Sequence, residues 1–265
     1  MNSSTQRAPS LFVSHGSPMF AVLSGVLGPN LRAVGDSLEG IRAIVVVSPH
    51  WQTRDIQVTG AESLETIHDF GGFPQELYEL QYSPSGDPAL ANEIVELLTS
   101  QGLRARVNPS RGIDHGAWVP LMHMRPANDL PVLQISMPMD LDARGALGLG
   151  AALGSLRERD VMVVGSGSLT HNLYEFRQDI RDPEYSQKFA DWAHTAVTAN
   201  DVDALVNYRE VAPFGVRAHP TEEHYLPLLV ALGASFADES AELVAGGMTD
   251  RILSMDSFLW TLRTS

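Results

Sequence analysis

Nine histidines and no cysteine occur among the 265 residues, so any metal bound by this chain must be held by imidazole or oxygen. His15 follows the apolar run 11–13 and precedes Gly16-Ser17-Pro18, His50 follows 44–47 through Ser48-Pro49, and His171 follows 161–164 after a short polar stretch. Each stands just beyond the C-terminal end of a strand-like segment, where open α/β sheets place their ligand crevice. One histidine so placed is ordinarily a loop residue bonded to a nearby carbonyl. Three at equivalent positions point to a shared site for one divalent metal. Two further segments add to it, Asp114-His115-Gly116-Ala117-Trp118 and His219-Pro220-Thr221-Glu222-Glu223-His224-Tyr225. Both set histidine and carboxylate beside glycine or proline, a composition that exposes polar groups at loop ends. The second offers His224, or its neighbour Glu223, as a third ligand at the start of a helix.

Other chemistries fail on spacing. The 219–225 segment fits neither HExxH nor HxxEH, which argues against a zinc protease. The segment Gly148 to Gly154 misses the dinucleotide fingerprint by one residue and falls in a helical pattern. Gly165-Ser166-Gly167-Ser168 follows a strand, but no lysine follows to make a phosphate loop, and its glycines read as tight turns. Ser14, Ser17 and Ser168 lie outside any Gly-x-Ser-x-Gly elbow. The stretch from His68 to Pro74, followed by Tyr78 and Tyr82, reads as an aromatic loop with two glycine hinges, for which a packed surface loop is the simplest account. His123 and His194 fall in helical patterns as structural or solvent-facing residues, and His219 is left open.

These residues need a scaffold. Short apolar, β-branched runs at 11–13, 42–47, 131–135 and 161–164 predict buried strands of a mostly parallel sheet. Helical spacing is clearest over 88–98, where Leu90, Ile94, Val95 and Leu98 share a face behind the start signal 85–87, and recurs over 141–156, 183–199 and 222–232. The alternating segment 252–259 suits a final strand. An α/β sheet covered on both sides by helices follows, with the metal site at the C-terminal edge of the strands. No repeat or linker divides the chain, so a single domain over 1–265 is expected, with 1–10 as a disordered polar tail.

Hydrophobic residues make up 44% of the chain and charged residues 19%, ordinary values for a globular domain. A formal net charge of -14 repels a phosphate backbone, and no basic patch offsets it, so no nucleic-acid partner is expected. The apolar stretches fall far short of the ~20 residues that span a bilayer, and the first ten residues carry no leader. A cytoplasmic protein without a membrane partner is expected. The sequence leaves the oligomeric state open.

Taken in order, Ser14-His15-Gly16-Ser17-Pro18, Val45 to Trp51, Ile67 to Pro74, Asp114-His115-Gly116, Gly165 to Asn172 and Glu223 to Leu228 resemble the LigB-type class III extradiol ring-cleavage dioxygenases, in particular their 4,5-DOPA extradiol branch. The resemblance runs from about residue 11 to 232. It implies one domain with a mixed central sheet and a metal at its mouth. By the same resemblance His15, His50 and His224 match the metal ligands, His171 an acid/base histidine close enough to act as a further ligand, and His115 a histidine that hydrogen-bonds substrate or oxygen. Glu223 is the alternative ligand, and Tyr78 and Tyr225, with Tyr82, are candidates for contacting substrate.

The implied reaction opens the ring of a small catecholic substrate with O2, and hydrolysis then gives a muconic semialdehyde. Fe(II) is the expected working ion, because the step needs a redox-active metal with open positions, whereas three neutral imidazoles suit Zn(II) equally well. Two rivals are a Zn(II)-dependent hydrolase-like enzyme and a non-catalytic binding protein on the same fold.

Overall fold

Alternation of side chains across the strands builds two cores from one sheet. Val45 and Val47 point to one face with Leu133, Ile135, Val161 and Val163, while Ile44 and Val46 point to the other with Val132, Met162, Val164, Leu11 and Val13. Both sets are buried, so the central strands read as unbroken apolar runs. At roughly 1.5–3 kcal/mol for each fully buried aliphatic side chain, this burial outweighs any difference in intrinsic strand propensity.

The computed structural model describes residues 7–176 and 183–263. Its strands are β1 Ser10–Ser14, β2 Ala43–Thr53, β3 Ile56–Thr59, β4 Ala105–Asn108, β5 Val132–Pro138, β6 Val161–Gly167, β7 Glu239–Val244, β8 Met248–Thr249, β9 Leu253–Ser254 and β10 Ser257–Leu262. Eight form one sheet in the order β4-β3-β5-β2-β6-β1-β10-β7, and β8 and β9 pair separately. The centre is parallel, β5 with β2, β2 with β6 and β6 with β1, as expected. Antiparallel pairing of β3 with β5, β1 with β10 and β10 with β7 makes the sheet mixed. This is one α/β domain with helices on both faces of its sheet.

One face carries the helices Pro88–Ser100, Ala143–Leu153, Glu184–Thr198 and Leu226–Gly233, and the other carries Leu27–Asp36 and His115–Met124. Asp87 caps the first of these, accepting from Leu90 N at 2.9 Å, and Asp142 caps the second, accepting from Gly145 N at 2.7 Å. The helix expected from 222 begins at Leu226, and the final strand expected over 252–259 lies at Ser257–Leu262. The predicted tail is corrected at its inner end. Arg7 pairs with Asp238 at 2.7 and 2.9 Å, Ala8 O accepts from the buried Arg157 at 2.7 Å, and Ser10 opens β1; residues 1–6 lie outside the described residues. Among the described residues no helix is long and apolar enough to cross a membrane.

Candidate metal centre

Because β2, β6 and β1 are adjacent and parallel, whatever follows them shares one edge of the sheet. His15 leaves β1 with its N–H donating to Gly167 O at 2.9 Å. His50 sits where the register of β2 against β5 slips between Val47 and Gln52, an irregularity that re-aims side chains. His171 follows β6 and is pinned by its N–H to Ala218 O at 2.9 Å. His224 lies in the turn before Leu226–Gly233, and its carbonyl accepts from Ser168 N at 2.9 Å. That approach explains Gly167, since a Cβ there would run into His224 O; close backbone contact, rather than a tight turn, is its reason. His115, expected at an exposed loop end, is instead buried and opens the helix His115–Met124.

Five imidazoles converge. Nε2 of His15 and Nε2 of His50 lie 3.2 Å apart. The rings of His15, His50 and His224 form a near-equilateral triangle with centroids 5.0, 5.1 and 5.5 Å apart and planes tilted by 56°, 76° and 61°. Imidazole nitrogens about 2.0–2.1 Å from one ion, at octahedral to tetrahedral angles, set ring centroids roughly 4.5–5.2 Å apart. That triangle is close to this spacing. The donor atoms themselves fall into two clusters, His15 with His50 and His115, and His171 with Glu223 and His224, each within 4.8 Å; in them His50 and His115, at 4.0 Å, and His171 and His224, stacked at 3.5 Å, lie closer than this spacing.

The hydrogen bonds behind the rings decide which nitrogens are free. The Ser166 hydroxyl donates to Gly116 O, so toward His15 Nδ1, 3.0 Å away, its oxygen can only accept. The proton of His15 therefore sits on Nδ1 and the lone pair on Nε2. Glu223 Oε1 accepts from His224 Nδ1 at 3.1 Å and from Thr221 at 2.9 Å, with the same result for His224. Asp69 Oδ2 accepts from His115 Nδ1 at 2.9 Å and lies 3.6 Å from His50 Nδ1. Such outer carboxylates and hydroxyls behind Nδ1 are the usual support of metal-binding histidines.

Burial, with His50 as the next cause for His15 and His171 for His224, pushes both imidazoles well below their ordinary range. Burial and the neighbouring His115 lower His50 to about 3, and burial lowers His171 to about 4 against the pull of Glu223. All four are neutral at neutral pH, with lone pairs available to a cation. Burial alone would raise the Asp69 carboxyl, but the hydrogen bonds it accepts from the His115 side chain and backbone help overcome this and hold it below the usual carboxylate range.

The tyrosines fare differently. Tyr225, expected to contact substrate, is wholly buried; its hydroxyl donates to Leu205 O at 2.9 Å and its ring stacks on Tyr208, so it packs into the core behind the site. Tyr82 is buried as well and bonds Arg125 O. Tyr78 lies against His68 and Phe70, and it is Phe70 that meets His115 edge-on at 5.7 Å. Sequence reasoning missed Asp69, Phe70 and Ser166. The first two stand in the glycine-hinged segment 68–74 and the third between the glycines after β6, the signals that could have marked them. A cleft of about 300 Å3, lined by Gln52, Met137, Met139, Thr221 and Glu223, adjoins His224 through Glu223.

Residues 11–253 match the family described as the catalytic LigB subunit of aromatic ring-opening dioxygenase. The chain is 38% identical to a 4,5-DOPA dioxygenase extradiol of Beta vulgaris, over 98% of this chain and 99% of the relative. It is 37% identical to a protein of the same name from Escherichia coli K12, over 95% and 94%. Among solved structures, an uncharacterized protein of Escherichia coli K12 superposes with a TM-score of 0.78 at 32% identity, covering 96% of this chain and 99% of that one. The ordered motif blocks and the mixed, mostly parallel sheet agree with the comparisons, and the chain belongs to the LigB family of aromatic ring-opening dioxygenases.

Proposed function

We propose that this chain is an extradiol dioxygenase that opens a small catecholic ring with O2, and that His15, His50 and His224 hold one divalent metal for that reaction. The observation that carries the metal assignment is the triangle of three canted imidazoles, in which Ser166 and Glu223 turn the lone pairs of His15 and His224 onto Nε2. Fe(II), when bound, supplies the electron transfer between catecholate and dioxygen that ring opening requires; Zn(II) suits the same nitrogens but not that step.

The chain's own groups supply proton transfer and orientation. His171, neutral at neutral pH, takes a proton from a catechol hydroxyl and returns it as the ring opens, ordinary acid/base work for imidazole. His115, with Nδ1–H held by Asp69, keeps Nε2 as an acceptor for a substrate hydroxyl. Glu223, whose Oε1 accepts from both His224 Nδ1 and Thr221, orients His224. Phe70 and Tyr78 form an apolar wall beside His115 for the aromatic ring. The names of the relatives favour a catechol of the DOPA kind, and the cleft beside Glu223 would take its substituent.

The test is anaerobic loading with Fe(II) followed by air and a panel of catechols, with products read by mass spectrometry. A product heavier by two oxygen atoms and absorbing in the visible is expected. Hydrolytic turnover with Zn(II), together with inert Fe(II) protein, would overturn the reading.

A further inference from the structure

Asp69 lies in the segment from His68 to Pro74, which chemistry at the metal does not by itself require, yet its carboxylate reaches two of the five imidazoles. Oδ1 accepts the backbone N–H of His115 at 2.8 Å, Oδ2 accepts Nδ1–H of the same residue at 2.9 Å, and Oδ2 stands 3.6 Å from Nδ1 of His50. We propose that Asp69 is a positioning residue shared by the metal face and the substrate face. It locks His115 as the Nδ1–H tautomer with Nε2 bare, and it places a negative charge behind His50.

An ionised carboxylate can only accept hydrogen bonds, so the proton on that axis belongs to His115 Nδ1. The backbone bond does a second task. Asp114, in the N-cap position of His115–Met124, makes no side-chain cap bond; it accepts instead from Ser48 Oγ at 2.9 Å and from Gln134. Asp69 therefore satisfies the first N–H of that ten-residue helix from outside, where negative charge is favoured. The carboxylate is itself held in place. Ile67 N donates to Ile113 O at 2.9 Å, Trp118 Nε1 donates to Ile67 O at 3.0 Å, and His68 Nε2 donates to Leu80 O at 3.0 Å. Three imidazole ligands carry no charge of their own. A carboxylate behind one of them raises the basicity of that ligand and returns part of the negative charge that a carboxylate ligand would bring.

The inference rests on the assignment of His50 as a ligand, so its test reads binding and tautomer rather than turnover. In the native, Zn(II)-loaded chain labelled with 15N-histidine, the His115 ring should appear protonated at Nδ1 and bare at Nε2; protonation at Nε2 would overturn the proposal without any variant. Asp69→Asn should keep its far-ultraviolet dichroism, lose that tautomer preference and weaken Zn(II) binding by about 10–100-fold in chelator competition. Asp69→Glu, which keeps the charge, should recover part of the affinity. A folded Asp69→Asn chain with native Zn(II) affinity and an unchanged His115 tautomer would contradict the proposal. Both readouts are independent of the reaction catalysed, so a chain inert toward catechols that shows these shifts would sink the dioxygenase reading and support the role of Asp69.

Discussion

The ring of His171 lies parallel to that of His224, tilted by 10° with centroids 3.5 Å apart. Their donor atoms cluster with Glu223, but of the two rings it is His224 that is canted against both His15 and His50 as a ligand would be. On the proposed assignment the pair divides the labour, with His224 as the ligand and His171 beside it with an unprotonated nitrogen.

His171→Ala should therefore retain about as much metal as the native chain and lose kcat by roughly 10²–10⁴-fold, the usual worth of a positioned acid/base group. His15→Ala, His50→Ala and His224→Ala should lose metal outright. Metal content after dialysis, measured beside steady-state kinetics, separates the two classes. Equal metal loss in His171→Ala would make that residue a ligand first.

Ser166 supports His15 from the far side of its ring, with its hydroxyl committed to Gly116 O and its oxygen to His15 Nδ1. Ser166→Ala removes the acceptor that fixes the tautomer. Metal affinity should fall by about 10–100-fold while the fold persists. Titration against a chelator measures this, and an unchanged affinity would show that the His15 ring is oriented by packing alone.

Gly167→Ala sets a methyl group against His224 O, on the backbone that carries the third proposed ligand. The turn from Glu222 to Tyr225 must move away from β6, and the hydrogen bond from Ser168 N to His224 O goes with it. Loss of one such bond costs about 1 kcal/mol, so the chain should stay folded, yet the misplaced ligand should cost far more in metal retention. Thermal melting with and without Zn(II) tests this: the stabilisation by metal should shrink much more than the melting temperature of the metal-free chain.

Much of the scaffold was legible because β1, β2, β5 and β6 are buried on both faces and read as continuous apolar runs. The short strands β3 and β4, with Gln57, Arg106 and Asn108 among their few residues, and the partly exposed edge strand β7, with Glu242, carry no such signal. His15 and His50 were legible from their places at strand ends. Asp69 and Ser166 were not, since they act on histidines 46 and 151 residues away and only the fold brings them together. Tyr225 misled for the converse reason. It neighbours a proposed ligand in sequence, but the turn points its ring at Tyr208 and Phe189.

Acid should destabilise the metal-free chain. His219 is wholly buried, donates Nε2–H to Leu169 O at 2.9 Å, and is lowered by burial from 6.5 to about 3. Between those values the unfolded state binds the extra proton, so stability is full above about pH 6.5 and falls as pH drops toward 3. The lowered His15, His50, His171 and His224 add to the same slope. Melting temperature measured from pH 7 to pH 4 should fall steadily, and His219→Gln should flatten part of the decline. A flat profile would mean that these imidazoles are hydrated in the folded chain.

The most direct measurement of the central claim is the ratio of O2 consumed to catechol consumed by Fe(II)-loaded protein in an oxygen electrode, with Zn(II)-loaded protein as control. One O2 per catechol with Fe(II), and none with Zn(II), is the expected result. Catechol loss without oxygen uptake, or equal turnover with Zn(II), would contradict it.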